Sequence, residues 1–527
     1  MALKSLVNVS HAGLLFNDDW TRSEVSHYAR YFITAALFLV LIISRRERYP
    51  NLPRLNPKKG MEFTWRARLL DYMGRSRELL SEGTRQFADK PYKLYTELGD
   101  ILVVPNKYAE ELKSVRALDF SESASDATHG YVPGLNPFTT EPGFIAVIQN
   151  YLTKALVSLT APISLEASKA LRDVFTDSKE WKEVTPDDIM LVVSRMSSRI
   201  FMGEELCNDE EWIRESAQYV SAAFQGIFEL SQWPRAMRPV VHWFLPRFGE
   251  IRQRLRRCRA VLQPHVDRRL AAKAAAGAGG GPTPRYNDSI EWFARELRPD
   301  HDPTNMQLSL TLVAVHTTTD LLTQTMMDIA KHPEILGPLR EEAVSVLRSD
   351  GLKKSAFQKL RLMDACFKES QRLRPVMLAY FRRFAKEDVK LQDGFVIKKG
   401  TQIAMDGRAV LLNEADYPEP LRWDPYRFLR MRETAGGAAA NKAHLVSASD
   451  KHVGFGHGIH ACPGRFFAAN ELKVALAHVL LKYDWKLPTD ATDLPPTVVG
   501  SSYMLPYGVK FLVARRQEEL DMDAMEC

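Results

Sequence analysis

A glycine-rich loop around one cysteine has the residue types and spacing that could do chemistry. Cys462 lies in FGHGIHACPG, which runs from Phe455 to Gly464. The glycines that make this loop tight and irregular are Gly454, Gly456, Gly458 and Gly464. Pro463 suits the first position of a helix, so backbone N–H groups and the positive end of the helix dipole should point toward the sulfur. Both effects are expected to lower the thiol pKa, and the thiolate could ligate iron or act as a nucleophile.

Two kinds of ligand fit this loop. A flat apolar ligand could approach the backbone closely at Phe455 and the glycines. A zinc ion could instead be held by nitrogen and sulfur ligands. The candidate zinc ligands are His452, His457, His460 and Cys462. The loop by itself leaves both possibilities open.

The loop resembles the haem-binding signature of the cytochrome P-450 family, Phe-x-x-Gly-x-Arg-x-Cys-x-Gly. The matching residues are Phe455, Gly458, Cys462 and Gly464. His460 stands at the arginine position, which resembles the filamentous-fungal branch of the family. The resemblance implies haem b with Cys462 as the axial iron ligand, and an enzyme that inserts one oxygen atom from O2 into an apolar substrate. Whether His460 contacts a haem propionate stays open, because a neutral imidazole offers one donor.

A second family element should lie in a long helix upstream. The stretch LVAVHTTTD, residues 312–320, resembles the family's Ala-Gly-x-(Asp/Glu)-Thr. Ala314 replaces the glycine, His316 replaces the acid and Thr317 is the threonine. The resemblance implies that the Thr317 hydroxyl, with water behind it, delivers protons to dioxygen, and that His316 relays them with a pKa near working pH. The alternative is a core helix whose threonines bond to carbonyls and bend it.

A Glu-x-x-Arg pair and a later arginine resemble the structural core of the family. Glu369 and Arg372 share one face of a helix, and Arg427 lies in DPYRF, which is similar to the family's Pro-x-Arg-Phe. The resemblance implies a buried charge network behind the haem, with a structural role. Such a network must be complete, because removing one partner strands a buried charge. On composition alone, the pair would be a surface ion pair.

The resemblance also implies arginines that bind the haem propionates. Arg383 in FRRFAKEDVKL stands where the family keeps one of them, and the adjacent Arg382 is its rival. An arginine suits this task because its planar fork can bind a carboxylate through two hydrogen bonds. The family's Trp-x-x-x-Arg is missing from residues 144–165, where Lys154 is the candidate substitute.

Helical periodicity dominates the chain around these residues. It predicts helices over 185–202, 211–230, 248–270, 306–329, 338–347, 359–373 and 465–481, with Thr185 as the cap of the first. Strand-like alternation is limited to 389–391, 395–397 and 510–513. The fold class is therefore mainly α with a small β portion, and the resemblance implies a haem between two long helices. Residues 271–284 should form a flexible connection, and the acidic tail after Arg516 should be frayed.

An apolar run near the N-terminus predicts a membrane anchor. YFITAALFLVLII, residues 31–43, is shorter than the roughly 20 residues of a span, but the residues before it can extend it. Arginines follow directly, so the positive-inside rule places the long C-terminal part in the cytosol. A buried core helix is the alternative. The predicted segments are a lumenal segment 1–27, an anchor 28–44, a basic proline hinge 45–60, a catalytic domain 61–516 and an acidic tail 517–527. Asn8 begins a lumenal glycosylation sequon.

The composition limits the classes of molecule that the protein can bind. The 527 residues carry a net charge of +6 and are 45% hydrophobic, as in ordinary globular proteins. This small basic excess fits a membrane surface or an acidic protein partner and does not indicate nucleic acid. The five cysteines include no CxxC, which indicates a reducing compartment. With the predicted anchor, the family resemblance implies a single-pass protein of the endoplasmic reticulum membrane.

The resemblance implies partners and a substrate class. Electrons would come from NADPH through a membrane-bound NADPH–cytochrome P-450 reductase, or cytochrome b5, docking near Arg465 and Lys473. The branch is similar to ent-kaurene oxidase-like enzymes, so a terpenoid or related fungal secondary metabolite is the expected lipophilic substrate. One alternative is a haem-thiolate isomerase or dehydratase of an oxygenated lipid that needs no reductase. Another is a non-catalytic haem or zinc sensor.

Overall fold

A computed structural model describes most of the chain. The described residues are 31, 47–58, 65–139, 141–279, 282–434, 436–489, 494, 496–506 and 508–525. The chain divides into two units, Met1–Leu52 and Pro53–Cys527, and every element below belongs to the second. Asn8 and the predicted anchor, apart from Tyr31, lie outside the described residues.

Helices make up most of the described chain, which confirms the mainly α prediction. They are α1 (Arg66–Phe87), α2 (Ala109–Leu112), α3 (Phe120–Thr128), α4 (Phe144–Val147), α5 (Thr153–Phe175), α6 (Pro186–Phe201), α7 (Glu210–Ser231), α8 (Arg238–Val241), α9 (Pro246–Gly279), α10 (Ser289–Glu296), α11 (Pro303–Lys331), α12 (Leu336–Asp350), α13 (Lys354–Lys359), α14 (Arg361–Leu373), α15 (Gly407–Leu411), α16 (Arg427–Thr434), α17 (Ala438–Asn441) and α18 (Arg465–Lys482). Short 3₁₀ turns cover Asn106–Tyr108, Asn136–Phe138, Pro333–Ile335 and Gly458–His460, and a π turn covers Ile148–Leu152.

The strands form small sheets beside the helical body. They are β1 (Tyr92–Thr96), β2 (Gly99–Val103), β3 (Leu118–Asp119), β4 (Lys182–Val184), β5 (Ala379–Ala385), β6 (Val389–Lys390), β7 (Val396–Ile397), β8 (Gln402–Asp406), β9 (Tyr483–Lys486), β10 (Thr497–Val499), β11 (Ser502–Met504) and β12 (Phe511–Arg515). The largest sheet has the order β1-β2-β8-β5-β3, and only its β2–β8 pair is parallel. The smaller sheets are β4-β12-β9, β6-β7 and β10-β11.

Side-chain caps fix where the long helices begin. Thr185 accepts a hydrogen bond from the Asp188 N–H, and the Asp188 carboxylate accepts one from the Thr185 N–H, so α6 starts at a capping box as predicted. Asp302 caps α11 in the same manner, with Pro303 at its first position. Both helices therefore enter the core at defined residues.

Two helices cross the centre of the molecule. α11 packs against α6, α14 and α18, and nearly all of α18 from Phe467 to Lys482 is buried. A helix that is buried on all sides must lie in the core. The residue before α18 is Gly464, so the cysteine loop is held at the start of this central helix.

One helical stretch among the described residues, Phe144–Phe175, is long and apolar enough by length and composition to cross a membrane. It comprises α4, the π turn and α5. Its last part packs against α6 and α18 and buries residues such as Leu156, Ile163 and Ala167 completely. Core helices pass the same test, and this one packs as they do.

Two connections differ from the prediction. Helix α9 continues to Gly279, so most of the predicted flexible segment 271–284 is helical, since its alanines are strong helix formers. The acidic tail is docked: Met522 is buried, and Asp523 pairs with the buried Lys482 at 2.7 Å. The predicted fraying is wrong because a buried lysine needs a carboxylate partner.

Candidate functional site

Backbone hydrogen bonds fold the cysteine loop back on itself. The Cys462 N–H donates to the Phe455 carbonyl at 2.8 Å, and the Ile459 N–H donates to the Lys113 carbonyl at 3.0 Å. Gly458 has φ +75°, and a Cβ there would lie 2.1 Å from the Lys113 oxygen. Only glycine fits such a position. A Cβ on Gly464 would meet nothing within 4 Å, so protein packing leaves the space beside Gly464 open.

The electrostatics of Cys462 differ from the prediction. Burial raises the pKa of the Cys462 thiol, and the N–H groups of Gly464 and Arg465 and the Arg465 guanidinium only partly oppose this effect. The predicted lowering is therefore wrong for the protein by itself, because the desolvation of the sulfur outweighs the helix start. A bound metal cation would reverse the balance, since a coordinating thiol is deprotonated outright.

The histidines of the loop point to different partners. His452 bonds to the Lys368 carbonyl, His457 to the Glu110 carboxylate and His460 to the Leu118 carbonyl. Among the described residues, no three His, Cys, Asp or Glu side chains are grouped to hold a metal ion. The zinc alternative is wrong for this part of the chain, because each imidazole is already committed elsewhere.

Arg383 is a buried cation near His460. Its side chain is 4% exposed, and burial lowers the pKa of its guanidinium to about 10. It donates to the Arg382 carbonyl at 2.7 Å and forms no ion pair with a carboxylate among the described residues. The Arg383 charge lowers the pKa of His460, with burial as the larger cause, so the two side chains are neighbours. The rival Arg382 is paired with Glu97 at 3.4 Å.

Helix α11, which carries Thr317, is only partly open to solvent. Thr317 in α11 is half-buried, and its hydroxyl donates to the Val313 carbonyl at 2.8 Å, as in the core-helix alternative. His316 packs edge-on against Phe224, with ring centroids 6.2 Å apart. Burial lowers the pKa of His316 below its usual value, which favours the neutral imidazole at physiological pH.

The charge network is complete and buried. Arg372 donates two hydrogen bonds of 2.8 Å to the Glu369 carboxylate, and Arg427 donates one of 3.0 Å. The remaining donors of Arg372 reach the carbonyls of Leu411 and Pro420. Glu369 and Arg372 are fully buried, so the alternative of a surface ion pair is wrong. The network ties α14 to the start of α16.

Three basic residues were expected to lie at the docking face or at a propionate, and one of them cannot. Lys473 is buried and paired with Asp364 at 2.6 Å, so it cannot lie on a docking surface. Arg465 donates to the carbonyls of Val446 and Cys462. Lys154 is exposed on the first turn of α5. Arg465 therefore stabilises the cysteine loop.

Aromatic residues of the site carry no motif that sequence reasoning could find. Phe120 lies 6.3 Å from His460 and 5.5 Å from the Arg383 guanidinium, measured to its ring centroid. Phe224 joins Phe138, at 5.8 Å, to His316. Their only sequence signal is hydrophobicity, which does not separate a pocket wall from a core.

The arrangement fits a haem. The open space at Gly464 and the cysteine at the start of α18 suit a flat ligand with an axial thiolate. The buried guanidinium of Arg383 lacks a carboxylate partner in the described chain, and a propionate would supply one. The residues that would hold the group are thus Cys462 and Arg383, because the single donor of a neutral His460 is taken by the Leu118 carbonyl.

Comparison with known proteins identifies the class. A sequence model of the family described as Cytochrome P450 matches residues 142–513. The chain belongs to the cytochrome P450 family and is a cytochrome P450 monooxygenase.

Similar proteins come from fungi. The chain is 47% identical over 498 residues to cytochrome P450 monooxygenase eqxH of Fusarium heterosporum, covering 94% of this chain and 96% of that one. It is 38% identical over 503 residues to cytochrome P450 monooxygenase hepE of Aspergillus oryzae, covering 93% and 90%. It is also 38% identical over 453 residues to cytochrome P450 monooxygenase TRI1 of Fusarium sporotrichioides, covering 85% and 82%.

Proposed function

We propose that the chain is an NADPH- and O2-dependent monooxygenase of a lipophilic natural product, with Cys462 as the axial ligand of haem b. The observation that carries this proposal is the pairing of an open cysteine loop with a buried arginine that has no carboxylate partner in the described chain. When bound, haem with a thiolate ligand supplies the activation of dioxygen and the transfer of one oxygen atom.

The side chains of the protein would bind and orient the haem and donate protons. Arg383 would donate a hydrogen bond to a propionate and so help to hold the group beside the start of α18. The Thr317 hydroxyl, now bonded to Val313, would turn toward the substrate side and donate its proton there. His316, whose neutral form is favoured by burial, would act as a wall and a hydrogen-bonding group of the same site.

The substrate class follows from the aromatic wall and from the relatives. Phe138, Phe224 and the His316 ring form a continuous apolar surface beside α11. Val313 on the same helix is 51% exposed and adds apolar area beside these rings. An apolar surface of this kind selects a lipophilic ligand. Because the similar proteins are fungal monooxygenases, we infer a terpenoid or related secondary metabolite.

We also propose that the protein works at the endoplasmic reticulum membrane, with its catalytic body in the cytosol. Support comes from the 233–244 surface, the exposed apolar segment from Trp233 to Phe244, where Trp243 is 58% and Phe244 79% exposed. Arg235 within it is also exposed, and Arg252 lies over the Trp243 ring. Aromatic residues with adjacent cations favour a membrane interface. A membrane-bound reductase, with cytochrome b5 as a second donor, would deliver electrons on the cysteine side.

The experiment is turnover of the full chain in membranes with NADPH–cytochrome P-450 reductase and ¹⁸O2. A panel of fungal terpenoids and related metabolites would be screened by mass spectrometry. The proposal predicts a product heavier by one ¹⁸O atom that requires both NADPH and the reductase. A product that forms without them would establish the isomerase or dehydratase alternative. Ligand-induced spectral shifts with no product from any compound would favour the sensor alternative.

A further inference from the structure

An open stripe runs along the middle of α11, where its neighbours on the helix are half-buried or buried. Val313 is 51% exposed, and Thr317 and Asp320 are half-buried. These positions are spaced i, i+4 and i+7, so they lie on one face of the helix. Asp320 therefore opens toward the same side as the Thr317 hydroxyl, about one turn further along.

The carboxyl group of Asp320 has no committed partner. Among the described residues it forms no hydrogen bond and no ion pair, whereas Asp328, two turns later, is paired with Arg374 and Ser370. Burial is the sole cause that raises the pKa of Asp320, to about 7. No charged or titratable side chain of α11, or of the helices packed against it (α6, α7, α9, α10, α14 and α18), contributes to the shift. Burying a carboxyl group without a partner costs free energy of folding, so such a group is a candidate for a functional role.

Buried hydroxyl groups continue from Asp320 along the helix. The hydroxyls of Thr318, Thr319 and Thr323 are buried without a hydrogen-bond partner, although Thr317 and Thr325 each bond to a carbonyl four residues earlier. Thr319 and Thr323 flank Asp320 within one turn. Buried polar groups of this kind are normally satisfied by ordered water. Water molecules that satisfied the hydroxyls of Thr319 and Thr323 would lie next to Asp320.

The usual position of an acid beside Thr317 is occupied by His316, whose neutral form is favoured by burial. We propose that Asp320 holds the proton that replaces the one donated by the Thr317 hydroxyl, and so acts as a relay residue through Thr317. This inference rests on the proposed monooxygenase function. The oxygen atom that leaves as water takes up two protons, each donated by the Thr317 hydroxyl, and after each donation a water molecule returns a proton to Thr317 from Asp320. The Asp320 carboxylate is then protonated from solvent, and NADPH supplies the two electrons.

The test compares Asp320→Asn with Asp320→Glu in the full-chain holoenzyme. We expect Asp320→Asn to keep the carbon monoxide spectrum and substrate Kd of the wild type, and to lower product per NADPH at least tenfold while hydrogen peroxide rises. The wild-type rate should fall above about pH 7, because the donor must be protonated. The pH–rate profile of Asp320→Asn should lack this fall. Asp320→Glu should restore part of the coupling. The exposed Asp300→Asn serves as the matched control with wild-type coupling.

An infrared measurement gives a readout without turnover. The wild type should show a protonated-carboxyl band that titrates near pH 7 and is missing in Asp320→Asn. Wild-type coupling and an unchanged pH profile in Asp320→Asn would overturn the inference while the monooxygenase function stands. A wild-type protein that makes no NADPH-dependent product would instead overturn the proposed function, and the infrared band alone would then report whether Asp320 holds a proton.

Discussion

At the scale of single residues, two adjacent arginines are distinguished by their partners. Arg382 is paired with Glu97, whereas Arg383 is buried and forms no ion pair in the described part of the chain. Because they are adjacent residues of β5, their side chains point to opposite faces of the strand. The sequence named both as candidates for the propionate arginine, and only their burial and partners separate them.

We predict that Arg383→Gln loses most of its haem, because the propionate loses a buried charge-assisted partner. Arg382→Gln should keep its haem, since its guanidinium is already paired with Glu97. The measurement is haem per mole of purified protein, after equal expression, with thermal unfolding as the folding control. Retention of haem by Arg383→Gln together with loss by Arg382→Gln would assign the role to the rival.

At the scale of elements, the cysteine loop contains glycines that serve different purposes. Gly458 is fixed by its positive φ and by the Lys113 carbonyl, whereas nothing in the protein crowds Gly464. Gly458 is thus needed for the loop to fold, and Gly464 leaves space for a ligand.

We predict that Gly458→Ala destabilises the protein by roughly 2–4 kcal/mol, because an alanine there is strained and clashes with a carbonyl. Gly464→Ala should change the stability of the haem-free protein by less than about 0.5 kcal/mol yet weaken haem binding, since its methyl group would enter the ligand space. Urea unfolding and haem titration separate the two effects. Equal stability losses in both variants would contradict this division of roles.

The charge network joins two elements that are distant in sequence. We predict that Glu369→Gln costs roughly 3–5 kcal/mol of unfolding free energy, because Arg372 and Arg427 would be left buried without a carboxylate. The exposed pair Glu419–Arg422 offers a matched control, and Glu419→Gln should cost less than about 1 kcal/mol. Similar losses in the two variants, measured by denaturant unfolding, would show that the buried network is not special.

Sequence patterns predicted these elements unevenly. Helices α6, α7, α11, α12, α14 and α18 were predicted to within three residues, because their apolar periodicity and caps are local signals, as at Thr185. Helices α1 and α5 were missed, and α9 runs nine residues beyond its predicted end. Of the strands, only β6, β7 and β12 were predicted; β5 and β8, among those missed, are buried on nearly every residue and lack alternation. The pKa direction of Cys462 was wrong because burial depends on packing between distant segments. Asp320 gave no signal in the sequence, because only the absence of a partner in space marks it.

At the scale of the whole molecule, the 233–244 surface is exposed and apolar on a body that forms its own unit from Pro53 onward. Burial of an aromatic side chain in a bilayer interface is worth about 1.5–3 kcal/mol. Such a surface would hold the catalytic body against a membrane.

We predict that the chain from Pro53 onward still binds anionic lipid vesicles, and that Trp243→Ser with Phe244→Ser weakens this binding at least tenfold. The control is Leu421→Ser, because Leu421 is 73% exposed but lies outside the surface. Vesicle sedimentation measures the partition coefficient. Equal binding by the double variant and the control would show that the 233–244 surface does not contribute to membrane binding.

The central claim is that Cys462 binds haem iron as a thiolate, and the reduced carbon monoxide difference spectrum tests it most directly. Thiolate ligation by Cys462 should give a strongly red-shifted Soret band in the wild type, and this band should be lost in Cys462→Ser. Cys207→Ser, which changes another buried cysteine, should keep the band. A Soret band typical of histidine-ligated haem in the folded wild type, or a red-shifted band that survives in Cys462→Ser, would contradict the account.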